Sequence, residues 1–222
     1  MEFRIKAATC VLMFLPSLAA QPFTFAVKRG TVTFSESGVR VERHGKKGRA
    51  WDYGNIQELR LSPTEIRIRT YDDVRWQLGR DREYKFDRLS KGDTAKLYRF
   101  LISKLDRRFI AEIAELVVAP EWSMPAKMLH RTGGFNGELR LSADRLVFEA
   151  SGEHASRTWR ITDIQNVSTA GSFKLSLTSL DGETRFQLKH PLPEDRYDAL
   201  WQRVMEANGL KIFQSSMEGH HD

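Results

Sequence analysis

Apolar and polar residues alternate with period two along most of the chain. Val32/Phe34, Val39/Val41, Ile66/Ile68 and Trp76/Leu78 each stand among polar or charged neighbours, the pattern of strands with one buried face. Ser37-Gly38, Ser62-Pro63, Asp72-Asp73, Ala143-Asp144 and Asp181-Gly182 punctuate these runs as turns. Asp181-Gly182, between Leu175–Leu180 and Glu183–Leu188, suits a two-residue hairpin whose central positions need positive φ. Twice the period lengthens to that of a helix. Asp195–Ala207 sets Ala199, Leu200, Val204 and Ala207 on one stripe, opened by Pro193-Glu194 and closed by Asn208-Gly209. Earlier, Asp93 starts a stripe of Leu97, Leu101, Leu105, Phe109 and Ile113 that reaches Val117, and Pro120 stops it. A break at Asp106-Arg107-Arg108 into two shorter helices fits the same spacing.

The pattern occurs twice. Gly30-Thr-Val-Thr-Phe-Ser35 is echoed by Gly137-Glu-Leu-Arg-Leu-Ser142, and Val39-Arg-Val41-Glu42 by Leu146-Val-Phe148-Glu149. Trp51, Ile56, Gln57 and Leu59 fall on Trp159, Ile164, Gln165 and Val167; Ile66/Ile68 fall on Leu175/Leu177 and Tyr84/Phe86 on Phe186/Leu188. Leu97, Tyr98 and Leu101 then meet Leu200, Trp201 and Val204. The offset changes only between blocks, as loop insertions produce, so the ordered series reads as a duplication.

Gly137–Val204 resembles the GRAM and pleckstrin-homology-like superfamily, with Trp159-Arg-Ile161-Thr-Asp-Ile164-Gln-Asn-Val167 as the most telling segment. Gly30–Leu105 looks like a more diverged copy, with Trp51-Asp-Tyr53-Gly-Asn-Ile56 in the same place. The resemblance implies a mainly β (α+β) chain of two small curved antiparallel barrels in tandem, each closed by a C-terminal helix. It also implies a scaffold for binding lipids, peptides or proteins. The organisation expected is a signal peptide over 1–19, a first domain over 24–118 with an extended C-terminal helix, a linker over 119–133, a second domain over 134–213 and a flexible tail over 214–222.

The first nineteen residues read as an export signal: Arg4 and Lys6, the apolar run Ala7–Leu15, Pro16, then the small-x-small exit Ser17-Leu18-Ala19. That run is shorter than the roughly 20 apolar residues of a membrane span. Two alternatives are an apolar element of a cytosolic domain and an uncleaved Ala7–Ala20 tether. Cleavage after Ala19 removes Cys10, the one cysteine, leaving no disulfide, no thiolate metal cluster and no cysteine nucleophile. No later stretch is apolar enough to span a bilayer.

Among 222 residues, 35 Lys and Arg against 29 Asp and Glu give a net charge of +6, modest for a dedicated nucleic-acid binder. The excess is local. Residues 28–115 hold 21 basic and 14 acidic side chains, residues 116–222 hold 12 and 14. The densest cluster, Arg43-His44-Gly45-Lys46-Lys47-Gly48-Arg49, sits between two expected strands, where Arg43, Lys46, Lys47 and Arg49 could meet anionic head groups. A solvated hairpin tip explains the same residues. Arg67, Arg69 and Arg75 read as the wet outer face of a strand.

Catalytic signatures are missing: no Gly-x-Ser-x-Gly, no phosphate-cradling loop, no His-Glu-x-x-His. His44, His130, His154 and His190 are scattered, and His220-His221-Asp222 lies at a terminus. Trp51 and Trp159 repeat and belong to the two cores, whereas Trp122, in the Pro-flanked linker, is a candidate protein-binding residue. The expectation is an exported, non-enzymatic binding or scaffolding module with no cofactor or metal. Its partner is a protein or an anionic membrane surface, with neither nucleic acid nor a small-molecule substrate identified. The alternative is an enzyme or enzyme subunit with its site in the groove between the copies.

Overall fold

The computed structural model describes residues 22–210, apart from 28, 29, 44, 75, 78, 88, 90, 153 and 154. The expected signal peptide over 1–19 and tail over 214–222 lie outside the described residues. The chain is mainly β. Four strands, β1 (Phe23–Val27), β2 (Gly30–Phe34), β3 (Gly38–Arg43) and β4 (Lys46–Asp52), form an antiparallel sheet in sequence order. A 3-10 turn, Tyr53–Asn55, leads into β5 (Ile56–Leu61), β6 (Glu65–Asp73) and β7 (Asp81–Asp87), and then helix α1 (Lys91–Leu101). After a short strand, β8 (Phe109–Ala111), the same order recurs. It runs β9 (Trp122–His130), β10 (Gly133–Leu141), β11 (Arg145–Ala150), β12 (Arg157–Arg160), a 3-10 turn at Ile161–Asp163, β13 (Ile164–Thr169), β14 (Lys174–Ser179), β15 (Gly182–Leu188) and helix α2 (Glu194–Met205). A π-helical turn, Glu206–Leu210, follows α2.

Two apolar clusters match the two passes through this order. Val32, Phe34, Ile56, Leu59, Ile66, Ile68, Leu97 and Leu101 centre the first, and Leu139, Leu141, Phe148, Ile164, Leu177, Phe186 and Leu200 the second. These are the inward members of the period-two strands and the apolar stripe of each helix, so alternation in sequence becomes burial in space. Both repeated glycines have a steric reason. A Cβ at Gly30 would lie 1.8 Å from the Glu42 carbonyl oxygen, and one at Gly137 would lie 2.2 Å from that of Glu149. Only a residue without a side chain lets β2 and β10 pass their partners so closely.

Several expectations need correction. The first helix ends at Leu101 rather than Val117; Phe109–Ala111 is a strand, paired in parallel with β5 and antiparallel with β12. The spacing of four through Leu105, Phe109 and Ile113 is therefore not a helical stripe. Carbonyls of the last turn of α1 accept from the backbone N–H groups of residues 102–105, and Arg160 pins the chain beyond it, donating to the carbonyls of Ile102, Leu105 and Asp106. Residues 119–133 are not simply a linker, since Trp122–His130 is β9, paired with both β10 and β15. Finally, the barrels do not close. β8 joins the two passes into one 11-stranded sheet, β13-β14-β15-β9-β10-β11-β12-β8-β5-β6-β7, and no ladder among the described residues seals either sheet. In the second pass β15 pairs with β9, whereas β1 and β7 each end a separate sheet. The β14–β15 hairpin is tight, as expected, but its two loop residues are Leu180 and Asp181, with Gly182 (φ 111°) already paired to Ser179.

Candidate functional site

The basic hairpin β3–β4 lies opposite the ends of β6 and β7. Period two puts Lys47, Arg49 and Trp51 on one face of β4, and Arg82, Tyr84 and Phe86 on one face of β7. A register shift between Val41 and Arg43 bends β3 as it reaches the turn. Between the two faces opens a cleft of 740 Å³ lined by Val41, Arg43, Lys47, Gly48, Arg49, Ala50, Trp51, Asp72, Arg82 and Tyr84. Its floor is apolar and buried; its lip is cationic. Trp51 and Tyr84 stack at 4.6 Å, tilted by 52°. The guanidinium carbons of Arg43 and Arg49 stand 5.8 and 5.6 Å from the Tyr84 ring centre, within the range of a cation over an aromatic face. Arg49 also donates to the Tyr84 hydroxyl. Among the lining residues Asp72 is the one carboxylate, 3.7 Å from Arg49, and both side chains are about half exposed, at 50% and 48%.

The same corner of the second pass is built from matching residues and is shut. Trp159 stands where Trp51 does and Arg157 where Arg49 does; strand register sets Thr184 where Tyr84 is, and the aromatic neighbour of Trp159 is instead Phe186, which matches Phe86, at 6.0 Å. The Arg157 guanidinium lies 4.7 Å from the Trp159 ring centre and meets Asp181 at 2.5 Å, with side-chain exposures of only 14% and 9%. Ser179 donates to the other Asp181 oxygen at 2.7 Å. Burial raises the Asp181 pKa, but Arg157, the Ser179 hydroxyl and Arg60 outweigh it and hold the carboxyl below its ordinary value. One arginine position is thus neutralised and buried in one pass, and half exposed in the other.

Of the sequence candidates, Arg43, Lys47 and Arg49 come together in this cleft. The backbone of Lys46 opens β4 and pairs with Arg43, while its side chain lies outside the described residues, as does His44. Trp122 is a correction: at 6% exposure it lies in the second core, opposite Leu141 on β10, and offers no surface for a partner. Its alternation with Met124 and Ala126, all three buried, was the signal that marked a strand. Arg67 and Arg69 sit on the outer face, paired with Glu65 and with Glu58 and Glu83. Sequence reasoning missed Arg82, Tyr84 and Asp72, which only the approach of β6 and β7 brings to the hairpin. The groove between the two passes holds β8 and a residual cavity of 20 Å³. Among the described residues, no group of His, Cys, Asp and Glu is arranged to hold a metal, and no helix is long and apolar enough to cross a membrane.

No family model matches the chain, and no curated protein matches it. Among solved structures, the C-terminal domain of an unknown protein from Leishmania infantum is 16% identical, covering 52% of this chain and 97% of that one at a TM-score of 0.34. The Spt16D Pob3N heterodimer is 15% identical, covering 78% of this chain and 99% of that one at a TM-score of 0.32.

Proposed function

We propose that this chain is an exported, non-enzymatic binding module of two pleckstrin-homology-like units, and that its first unit takes an anionic group of a lipid surface in the cleft between β3–β4 and β7. Support for two such units comes from the repeated order of strands, 3-10 turn and helix, and from one apolar cluster for each pass. The observation that carries the ligand class is the contrast between Arg49 and Arg157. A structural arginine at this corner is buried against its own aspartate, as Arg157 is. Arg49 instead shares an open cleft with Arg43, Lys47 and Arg82 against a single carboxylate. Cations on an aromatic floor, left accessible to water, attract an anion without the large desolvation penalty of a sealed site.

Cosedimentation with vesicles of phosphatidylcholine and phosphatidylglycerol tests this reading. Each cation near such a surface is worth about 1 kcal/mol, so Arg43→Gln with Lys47→Gln weakens binding by roughly thirtyfold. Binding to the anionic vesicles also falls as salt rises, and pure phosphatidylcholine retains little. Equal recovery of the double variant and the wild type sinks the cleft as the site. Export rests on the basic, apolar and small-residue segments of the N-terminus. It predicts a secreted product whose mass corresponds to a chain beginning at Ala20; an intact Met1 terminus on the exported protein contradicts it.

A further inference from the structure

The β6–β7 hairpin carries a side chain that neither core uses. Its strands end at Asp73 and Asp81, and three backbone hydrogen bonds tie the described residues between them. Val74 N–H donates to the Arg80 carbonyl at 2.8 Å, Gln77 N–H to Val74 at 3.0 Å, and Arg80 N–H to Gln77 at 3.2 Å. Trp76 stands on this turn with 91% of its surface exposed, the highest value among the large apolar residues described. Its φ is 71°, a backbone conformation that a bulky L residue adopts only at a cost. The matching hairpin of the second pass is the two-residue turn Leu180-Asp181, so the extension belongs to the first unit alone. It also belongs to the cleft's rim, because Asp72 and Arg82, at the two strand ends below the turn, line the cleft. The opposite rim is the β3–β4 tip with Arg43 and Lys47.

We infer that Trp76 is an interfacial anchor: the β6–β7 tip seats its indole among the head groups of an anionic bilayer while the adjoining cleft holds a head-group anion. This rests on the cleft reading above and adds an apolar contact to the same lipid surface. An indole has an apolar body and a polar N–H, and settles at the boundary between water and hydrocarbon. A soluble anion needs the cations only. A flat anionic surface engages both rims at once, and that arrangement gives a use to an apolar group displayed beside a cationic lip.

The experiment uses the full chain and vesicles of equal parts phosphatidylcholine and phosphatidylglycerol with brominated acyl chains. Trp76→Asn is the main variant, since asparagine tolerates positive φ and the site is exposed; matching thermal unfolding shows that the fold is kept. Partitioning is expected to fall about tenfold in W76N, from the loss of one buried aromatic contact, and to be largely retained in W76F. Bromine quenching of tryptophan emission is expected in the wild type and to drop sharply in W76N. Inorganic phosphate binds wild type and W76N equally, which reads the cleft without a membrane. Wild-type partitioning and quenching in W76N overturn the anchor, as does weaker phosphate binding in W76N or failure of the wild type to bind vesicles. If the Arg43 and Lys47 variants bind vesicles as the wild type does while W76N does not, the cleft reading fails and the anchor stands.

Discussion

Arg49 and Arg157 show how one residue type at one place in a repeated framework is set in two environments by a single neighbour. Arg157 meets Asp181 at 2.5 Å in a buried corner, and Arg49 meets Asp72 at 3.7 Å in an open one. A buried pair gains little over an apolar one, yet removing one partner strands the other charge away from water. Asp181→Asn is therefore expected to lower stability by about 3 kcal/mol at neutral pH, read as a shift of the urea midpoint; an unmoved midpoint refutes it. The pH dependence follows from the direction of the shift. Because Asp181 binds its proton less tightly when folded, its contribution is complete above the ordinary carboxylate value near pH 4 and is lost as pH falls through the lower folded value. Asp163 goes the other way: burial raises its pKa against the pull of Arg160. Its charge thus opposes folding at neutral pH, and acid relieves that part. The variant lacking Asp181 should accordingly lose less stability on acidification than the wild type.

Among the elements, the strands that carry Gly30 and Gly137 are the most sharply constrained. Gly137→Ala would place a methyl group 2.2 Å from a backbone oxygen and 2.8 Å from the Phe148 ring, and backbone cannot step aside cheaply. We expect a cost of about 2–3 kcal/mol, seen in the urea midpoint; a variant as stable as the wild type shows that β10 has room to shift. This constraint was visible in sequence as a repeated small residue ahead of an alternating run. So were β2, β3, β5, β6, β11, β14 and helix α2, whose signals are local. What escaped is non-local. β8 is three residues long and takes its identity from β5, with Leu59 beside Phe109, and from β12. Its apolar residues fit a helical spacing equally well. Pro125 disguised β9 as a linker, although Pro125 stands on a strand, opposite Glu138. Half of the cleft was legible as a basic hairpin. Arg82 and Tyr84 lie more than thirty residues away and gave no sign of facing it, and Trp76 read as a strand residue because alternation continues into the turn.

At the scale of the whole molecule, β8 joins the two units through one hydrogen-bonded sheet. Thr158, buried on β12, donates to the Ile113 carbonyl at 2.7 Å and accepts from the Glu115 N–H at 3.0 Å; Arg145 pairs with Glu115 beside it. Thermal unfolding followed by tryptophan fluorescence and by far-ultraviolet circular dichroism is expected to give one coincident transition. Thr158→Val, which leaves two backbone groups without that partner, should move it downward by about 2 kcal/mol. Two separated transitions in the wild type would show that each unit melts alone. The continuous sheet has a further consequence. Because β8 is hydrogen-bonded to strands of both passes, turning one half against the other would break part of that ladder, so a load applied at one end is passed along shared backbone bonds to the other.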